Sequence, residues 1–232
     1  MIPQDIFTMY SAKAAAYLIA VAFLLLFIPF WGYLNGGRVV ERVPAAVARG
    51  WLSQMVDWFL VPDGFYFHPG HAWARVGDGD LVTVGMDDFA HKLVGRVPTI
   101  RLPEVGSRVG QGEKGWSLAS DGKSVDLLSP VDGTVVAVNA LAVASPEWLG
   151  RDPYGHGWLL KVRAPRLAAN LKQLLSGALA RRWMEEVCET LRGMMSPDLG
   201  RVLQDGGLPL DGIARSLDPG RWDELSRRFL LT

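Results

Sequence analysis

Residues 115–138 read GWSLASDGKSVDLLSPVDGTVVAV, and the fold is decided by how this stretch is read. Gly133-Thr134-Val135-Val136-Ala137-Val138 is a run of strand length, rich in β-branched residues, set off by Pro130 and Gly133. Ahead of it, Asp121-Gly122 is a strong two-residue hairpin turn, because glycine supplies the positive φ such turns require. The segment after that turn leads into a strand.

Leu81-Val82-Thr83-Val84-Gly85 and Trp158-Leu159-Leu160-Lys161-Val162 also read as strands. Asp87-Asp88-Phe89-Ala90-His91-Lys92-Leu93 reads as one short helix, with acidic residues at the end where the helix dipole favours them. From Phe65 to Arg163 short apolar stretches alternate with Gly, Pro and Asp, the texture of a small sandwich or flattened barrel. Pro62-Asp63-Gly64 breaks the chain before it and Pro165 follows it, which sets a domain at 63–164.

On the N-terminal side, residues 14–34, AAAYLIAVAFLLLFIPFWGYL, hold no formal charge. A helix rising about 1.5 Å per residue over this length crosses a hydrocarbon core of roughly 30 Å. Pro29 kinks it near its end, where Trp31 and Tyr33 form an aromatic belt. A cleavable signal peptide needs a basic n-region, a shorter apolar core and a small-x-small site. Here Lys13 is opposed by Asp5, and the core ends in Pro-Phe-Trp-Gly-Tyr. The expectation is an uncleaved anchor within an N-terminal segment 1–37. Arg38, Arg42 and Arg49 follow the span against Lys13 before it, so the C-terminal part belongs in the cytoplasm.

Within 38–62, residues 44–61 place Val47, Trp51, Met55, Trp58 and Phe59 at helical spacing. This predicts a juxtamembrane amphipathic helix against membrane or partner, the alternative being that it covers the following domain. Beyond Pro165, a helical tail is expected over 165–232. Leu171, Leu175, Leu179, Trp183, Val187, Leu191 and Met195 recur every fourth residue, predicting one apolar stripe over about seven turns. Gly177 falls on another face of that helix. Ser196-Pro197 starts a short helix through Leu203, and Asp218-Pro219 starts a last one carrying Trp222, Leu225 and Phe229.

The 232 residues carry 24 basic and 24 acidic side chains, so no global basic field argues for nucleic acid. The single cysteine, Cys188, allows neither an intrachain disulfide nor a CxxC metal site. Trp183, Val187 and Leu191 around it suggest a buried, unreactive thiol. There is no CxxCH for haem and no cysteine set for an iron–sulfur cluster.

From Phe67 to Val162 the chain resembles the glycine-cleavage H protein. The phrases that carry the resemblance are His71-Ala72-Trp73, Val82-Thr83-Val84-Gly85-Met86, Leu102-Pro103-Glu104-Val105-Gly106, Ser129-Pro130-Val131-Asp132-Gly133 and Asp152-Pro153-Tyr154-Gly155-His156-Gly157-Trp158-Leu159. Five such phrases in order form a specific signal. The resemblance implies a mainly β central domain, a flattened lipoyl-type sandwich or barrel. Outside the resembling stretch, the residues themselves add one N-terminal transmembrane helix and an α-helical C-terminal extension. The resemblance also implies a hairpin displaying a lysine that carries lipoate, an arm for aminomethyl groups or electrons.

In the sequences it resembles, that lysine stands eight residues before the proline of Ser-Pro; counting back from Pro130 reaches Gly122. Counting forward from Gly115 reaches Asp121 instead, since the loop is one residue longer. The lysine at hand is Lys123, and a one-residue shift in a strand turns a side chain to the other face. Leu118-Ala119-Ser120 stands where an acidic residue is expected. Lys123 is therefore expected to be an unmodified turn lysine, with lipoate on Lys123 as the alternative.

Other sites fall away. Gly122-Lys123-Ser124 resembles the end of a phosphate-binding loop, but Ser117 occupies its required first glycine. His68 and His71 are half of a metal site with no third ligand nearby, so no metal is expected. Asp87-Asp88 alone is no acid–base pair, and no local Ser-His-Asp or Cys-His arrangement points to an enzyme.

The reading is a non-catalytic, single-pass subunit of the bacterial inner membrane with no cofactor of its own. By analogy with H-protein-like membrane subunits, the resemblance implies that it scaffolds a multisubunit respiratory electron-transfer complex beside multihaem cytochrome, iron–sulfur or quinone-reactive subunits. The alternative is a membrane-tethered lipoyl carrier that uses Lys123 to shuttle electrons or one-carbon units.

Overall fold

A computed structural model describes residues 17, 23, 25–27, 55–56, 58–96, 99–120, 122–194 and 212–232. The chain divides into two units, Met1–Val47 and Ala48–Thr232. In the first, Tyr17, Phe23, Leu25, Leu26 and Phe27 are helical and exposed. The rings of Phe23 and Phe27 stack 5.9 Å apart, as neighbours one helical turn apart do. The rest of the expected 14–34 span lies outside the described residues. Among the described residues no helix is long and apolar enough to cross a membrane.

The second unit opens with a two-strand ribbon, β1 (Met55–Val56) paired with β2 (Phe59–Leu60). This corrects the end of the helix expected over 44–61; residues 44–54 and 57 lie outside the described residues. Tertiary contacts account for the extended backbone. Val56, Phe59 and Val61 are buried, and Phe59 meets Phe89 edge-on at 4.9 Å. Leu60 N–H donates to the Asp88 carboxylate, and Leu60 C=O accepts from the Tyr154 hydroxyl. The segment therefore covers the domain that follows, and helical spacing alone could not reveal it.

Next come β3 (Tyr66–His68), β4 (Ala72–Val76) and β5 (Leu81–Met86), then helix α1 (Asp88–Val94). Strands β6 (Thr99–Arg101), β7 (Arg108–Val109), β8 (Lys114–Ser120), β9 (Lys123–Leu128) and β10 (Gly133–Val138) follow. Short helices α2 (Ala140–Ala144) and α3 (Trp148–Arg151) lead to β11 (Leu160–Arg163). The last elements are α4 (Leu167–Leu171), β12 (Leu175–Ser176), α5 (Gly177–Met194), α6 (Ile213–Leu217) and α7 (Trp222–Leu230). A seven-stranded sheet runs β12-β3-β4-β5-β11-β10-β7, and a three-stranded sheet runs β6-β8-β9, every pairing antiparallel. Both sheets contribute to one buried apolar core. The strands at 81, 133 and 158 and the helix at 87 fall where the sequence places them, within a residue or two.

The sequence phrases meet in this core. Trp73 on β4 sits opposite Gly85 on β5. A Cβ at position 85 would lie 2.5 Å from the indole, so only glycine admits it. The indole N–H donates to Met86 and Pro153 carbonyls, joining three phrases distant in sequence. Asp87 caps α1 by accepting from Ala90 N–H.

The long stripe is corrected as well. The chain from 167 is not one helix: it breaks at β12, where Leu175 pairs with Phe67 of β3, and Gly177 takes φ +54 as α5 begins. The buried face of α5 is Ala180, Met184, Cys188 and Leu191, while Leu179 is 60% exposed. The reason is geometric: a four-residue spacing drifts about 40° per step on a helix of 3.6 residues per turn. The helix expected over 196–203 lies outside the described residues. The one after Asp218-Pro219 is α7, with Trp222 and Phe229 buried.

Candidate functional site

The hairpin β8–β9 holds the residues singled out by the sequence. Its register pairs Ser120 with Lys123, so two residues close it. Gly122 takes φ +77, the left-handed region that glycine enters without strain. Counted back from Pro130, the expected lysine position is thus the hairpin tip itself, and it holds glycine. Lys123 opens strand β9, where Val125 and Leu127 turn inward.

The sheet order is β6-β8-β9, so among the described residues no strand pairs with the outer side of β9. Helix α7 lies on it. Lys123 Nζ donates to the Gly220 carbonyl at 2.7 Å and to Asp223 Oδ1 at 2.7 Å. Arg227 donates to the Ser124 carbonyl at 3.0 Å, and the Thr232 hydroxyl to the Asp126 carbonyl at 3.1 Å. Those carbonyls are two residues apart, as edge groups on one side of a strand must be. Apolar side chains hold the helix: Trp222, Phe229 and Leu230 are buried, with Phe229 5.4 Å from Phe89 of α1.

The electrostatics agree with this docking. The hydrogen bond from Lys123 holds Asp223 below the ordinary carboxylate range. For Asp126, burial works upward, but hydrogen bonds from Ser117 and Lys114 and the charges of Lys114 and Arg227 outweigh it, so its pKa is lowered. The local sequence carries no signal for these contacts, since Lys123 and Asp223 stand 100 residues apart. The Asp218-Pro219 start signal locates the helix but not its partner.

His68 and His71 do not converge on a common point. His68 Nδ1 accepts from Gly70 N–H at 3.0 Å. His71 Nδ1 bonds Asp87 at 2.8 Å, with its ring between Phe89 at 4.2 Å and Trp183 at 4.8 Å. At 1% exposure His71 has no access to a substrate, and its φ of +62 belongs to a packed turn. Asp87 and Asp88 are structural too: Asp87 caps α1, and Asp88 pairs with Lys92 at 2.7 Å. Gly122-Lys123-Ser124 enters a strand and frames no helix N-terminus. Cys188 is buried in the core.

Comparison with known proteins now decides the family. The family model of the glycine cleavage H-protein matches residues 65–187. The chain belongs to the glycine cleavage H-protein family. It is 45% identical over 103 residues to the glycine cleavage system H protein of Rubrobacter xylanophilus, covering 44% of this chain and 81% of that one. To the glycine cleavage system H protein of Mycobacterium avium it is 40% identical over 109 residues, 47% of this chain and 83% of that one. The crystal structure of a glycine cleavage system H protein from Mycobacterium marinum is 31% identical, with a TM-score of 0.46 over 51% of this chain and 94% of that one. The matched region extends past the resembling phrases to take in β12 and much of α5, while α6 and α7 lie beyond it. In this H-protein domain the hairpin tip offers no amine, and the adjacent amine is engaged by α7.

Proposed function

We propose that this chain is a non-catalytic, membrane-anchored accessory subunit whose H-protein domain serves as a scaffold and carries no lipoyl group. The observation that carries this reading is the hairpin: glycine at its tip, and Lys123 tied to Gly220 and Asp223. A carrier arm must swing between partners from a free attachment point, whereas this amine is bound to the Gly220 carbonyl and to Asp223 of α7. The anchor is supported by the uncharged 21-residue segment 14–34. A diffusing carrier would have no need of such a span. The setting we propose, a bacterial inner-membrane respiratory assembly with the domain on the cytoplasmic side, follows from the resemblance and from the arginines after the span.

The second reading is a tethered lipoyl carrier on Lys123, favoured by the chain's membership of the H-protein family. Intact-mass measurement of the protein purified from its native membrane separates the two. The expected mass is that of the unmodified chain at Lys123. An added lipoyl group localised to Lys123 would sink the scaffold reading and establish the carrier.

A further inference from the structure

We infer that residues 212–232 form an autoinhibitory cap on the β8–β9 hairpin, with Lys123 as its latch. The open edge of β9 would ordinarily offer its outward backbone groups to an added strand, and its lysine to an acyl donor. The cap engages two edge carbonyls and the amine. Arg227 and Thr232 donate to the Ser124 and Asp126 carbonyls, so a further strand would have to displace them. Lys123 places two of its three N–H donors on the Gly220 carbonyl and the Asp223 carboxylate. An amine held in this way must leave both contacts before it can meet an electrophile.

Two kinds of contact fix the cap, and they differ in strength. The polar latch is partly solvated, with 38% of the Lys123 side chain and 19% of the Asp223 side chain exposed. Such pairs contribute little each. The apolar anchor is buried: Trp222 and Phe229 are 3% and 8% exposed and Leu230 is fully covered. Gly212 N–H also donates to the Lys92 carbonyl at the end of α1, tying the start of the cap to the domain. The latch therefore sets the register of α7 on β9, and the anchor holds it there. A partner that displaces the anchor would expose a strand edge and a primary amine together.

This inference concerns accessibility and stands whether or not the native chain is modified, so its test is chemical and uses unmodified recombinant full-length chain in detergent. Limiting N-hydroxysuccinimidyl acetate acylates a free amine: Nζ attacks the ester carbonyl, an amide forms, N-hydroxysuccinimide leaves, and the amine proton passes to water. Peptide mapping against time gives the rate at each lysine. Lys123 should react about tenfold more slowly than the exposed Lys172, as for an amine freed only when a charge-assisted contact opens. Asp223→Asn, which removes the latch charge, and Phe229→Ala, which removes one ring of the anchor, should each raise the Lys123 rate several-fold and leave Lys172 unchanged. Circular dichroism of both variants checks that the β-domain persists. Equal rates at Lys123 and Lys172 in the unaltered chain, or a Lys123 rate that neither variant moves, would overturn the cap. Neither result alters what the native mass reports about lipoylation, so the two readings fail separately.

Discussion

At position 85 the cost of a single methyl group can be stated in advance. The Trp73 indole lies flat against Gly85, and a Cβ there would sit 2.5 Å from Cζ2 and 2.7 Å from Cε2. The indole cannot retreat, since its N–H is bound to the Met86 and Pro153 carbonyls. Gly85→Ala should therefore destabilise the domain by about 1–3 kcal/mol, the usual cost of overpacking a core. The denaturation midpoint of the full chain measures it, and an unchanged midpoint would mean the indole has room to move. Trp73 and Gly85 were both visible in the sequence as parts of separate phrases. That one requires the other is a fact of register, because they face each other across β4 and β5.

Helix α5 shows how an element can be recognised while its buried face is misassigned. Seven apolar residues at four-residue spacing suggest a single stripe. On α5 Leu191 is buried and Trp183 and Val187 pack partly on the core, but Ala180, Met184 and Cys188 are its fully buried face and Leu179 is not part of it. Two substitutions separate these descriptions. Leu179 is 60% exposed, so Leu179→Gln should change stability by no more than about 0.5 kcal/mol. Met184 is fully buried, and Met184→Ala should cost about 2–5 kcal/mol through lost contacts and the cavity left behind. Thermal or chemical unfolding of the two variants decides it; similar losses in both would restore the regular stripe. The β1–β2 ribbon teaches the same lesson, since hydrogen bonds to Asp88 and Tyr154 hold extended a segment whose apolar spacing is helical.

For the whole molecule, acid lability is a consequence of burial. Burial, and then the neighbouring His71, lower the pKa of His68 from its ordinary 6.5. Its Nδ1 accepts a hydrogen bond from Gly70 N–H, which a protonated ring cannot do. A depressed folded-state pKa contributes stability that is fully present above 6.5 and is lost as pH falls from there through the lowered value. Asp223 and Asp126 are lowered from an ordinary 3.8, so their contribution disappears only below that value. Unfolding measured from pH 7 to pH 3 should show two declines, the first beginning near 6.5 and flattened in His68→Gln. A first decline of the same size in that variant would assign it to another group.

Membrane attachment is also a property of the entire chain. If residues 14–34 span the bilayer, the protein stays in the membrane fraction after carbonate and high-salt washing. Protease added to intact cells then spares everything after Arg38. Extraction by carbonate would remove the anchor from the proposal, and digestion from outside would reverse its orientation.

The amino-acid sequence by itself determined the central β-domain, its short helix and its family, because strand length, turn residues and helix caps are local properties. It also determined that the hairpin tip carries glycine: two residues close the turn, and Gly122 stands at the counted position. Tertiary structure alone decided what surrounds that tip. Lys123 and Asp223 meet across 100 residues, and β9 becomes an edge only once β6, β8 and β9 take their order in the sheet. Periodicity reports which side of an element is apolar, but the surface that covers it belongs to other parts of the chain. For this reason α7 could be read as a helix from its own residues, while its place over the hairpin emerged only when buried aromatic rings and edge carbonyls found their partners.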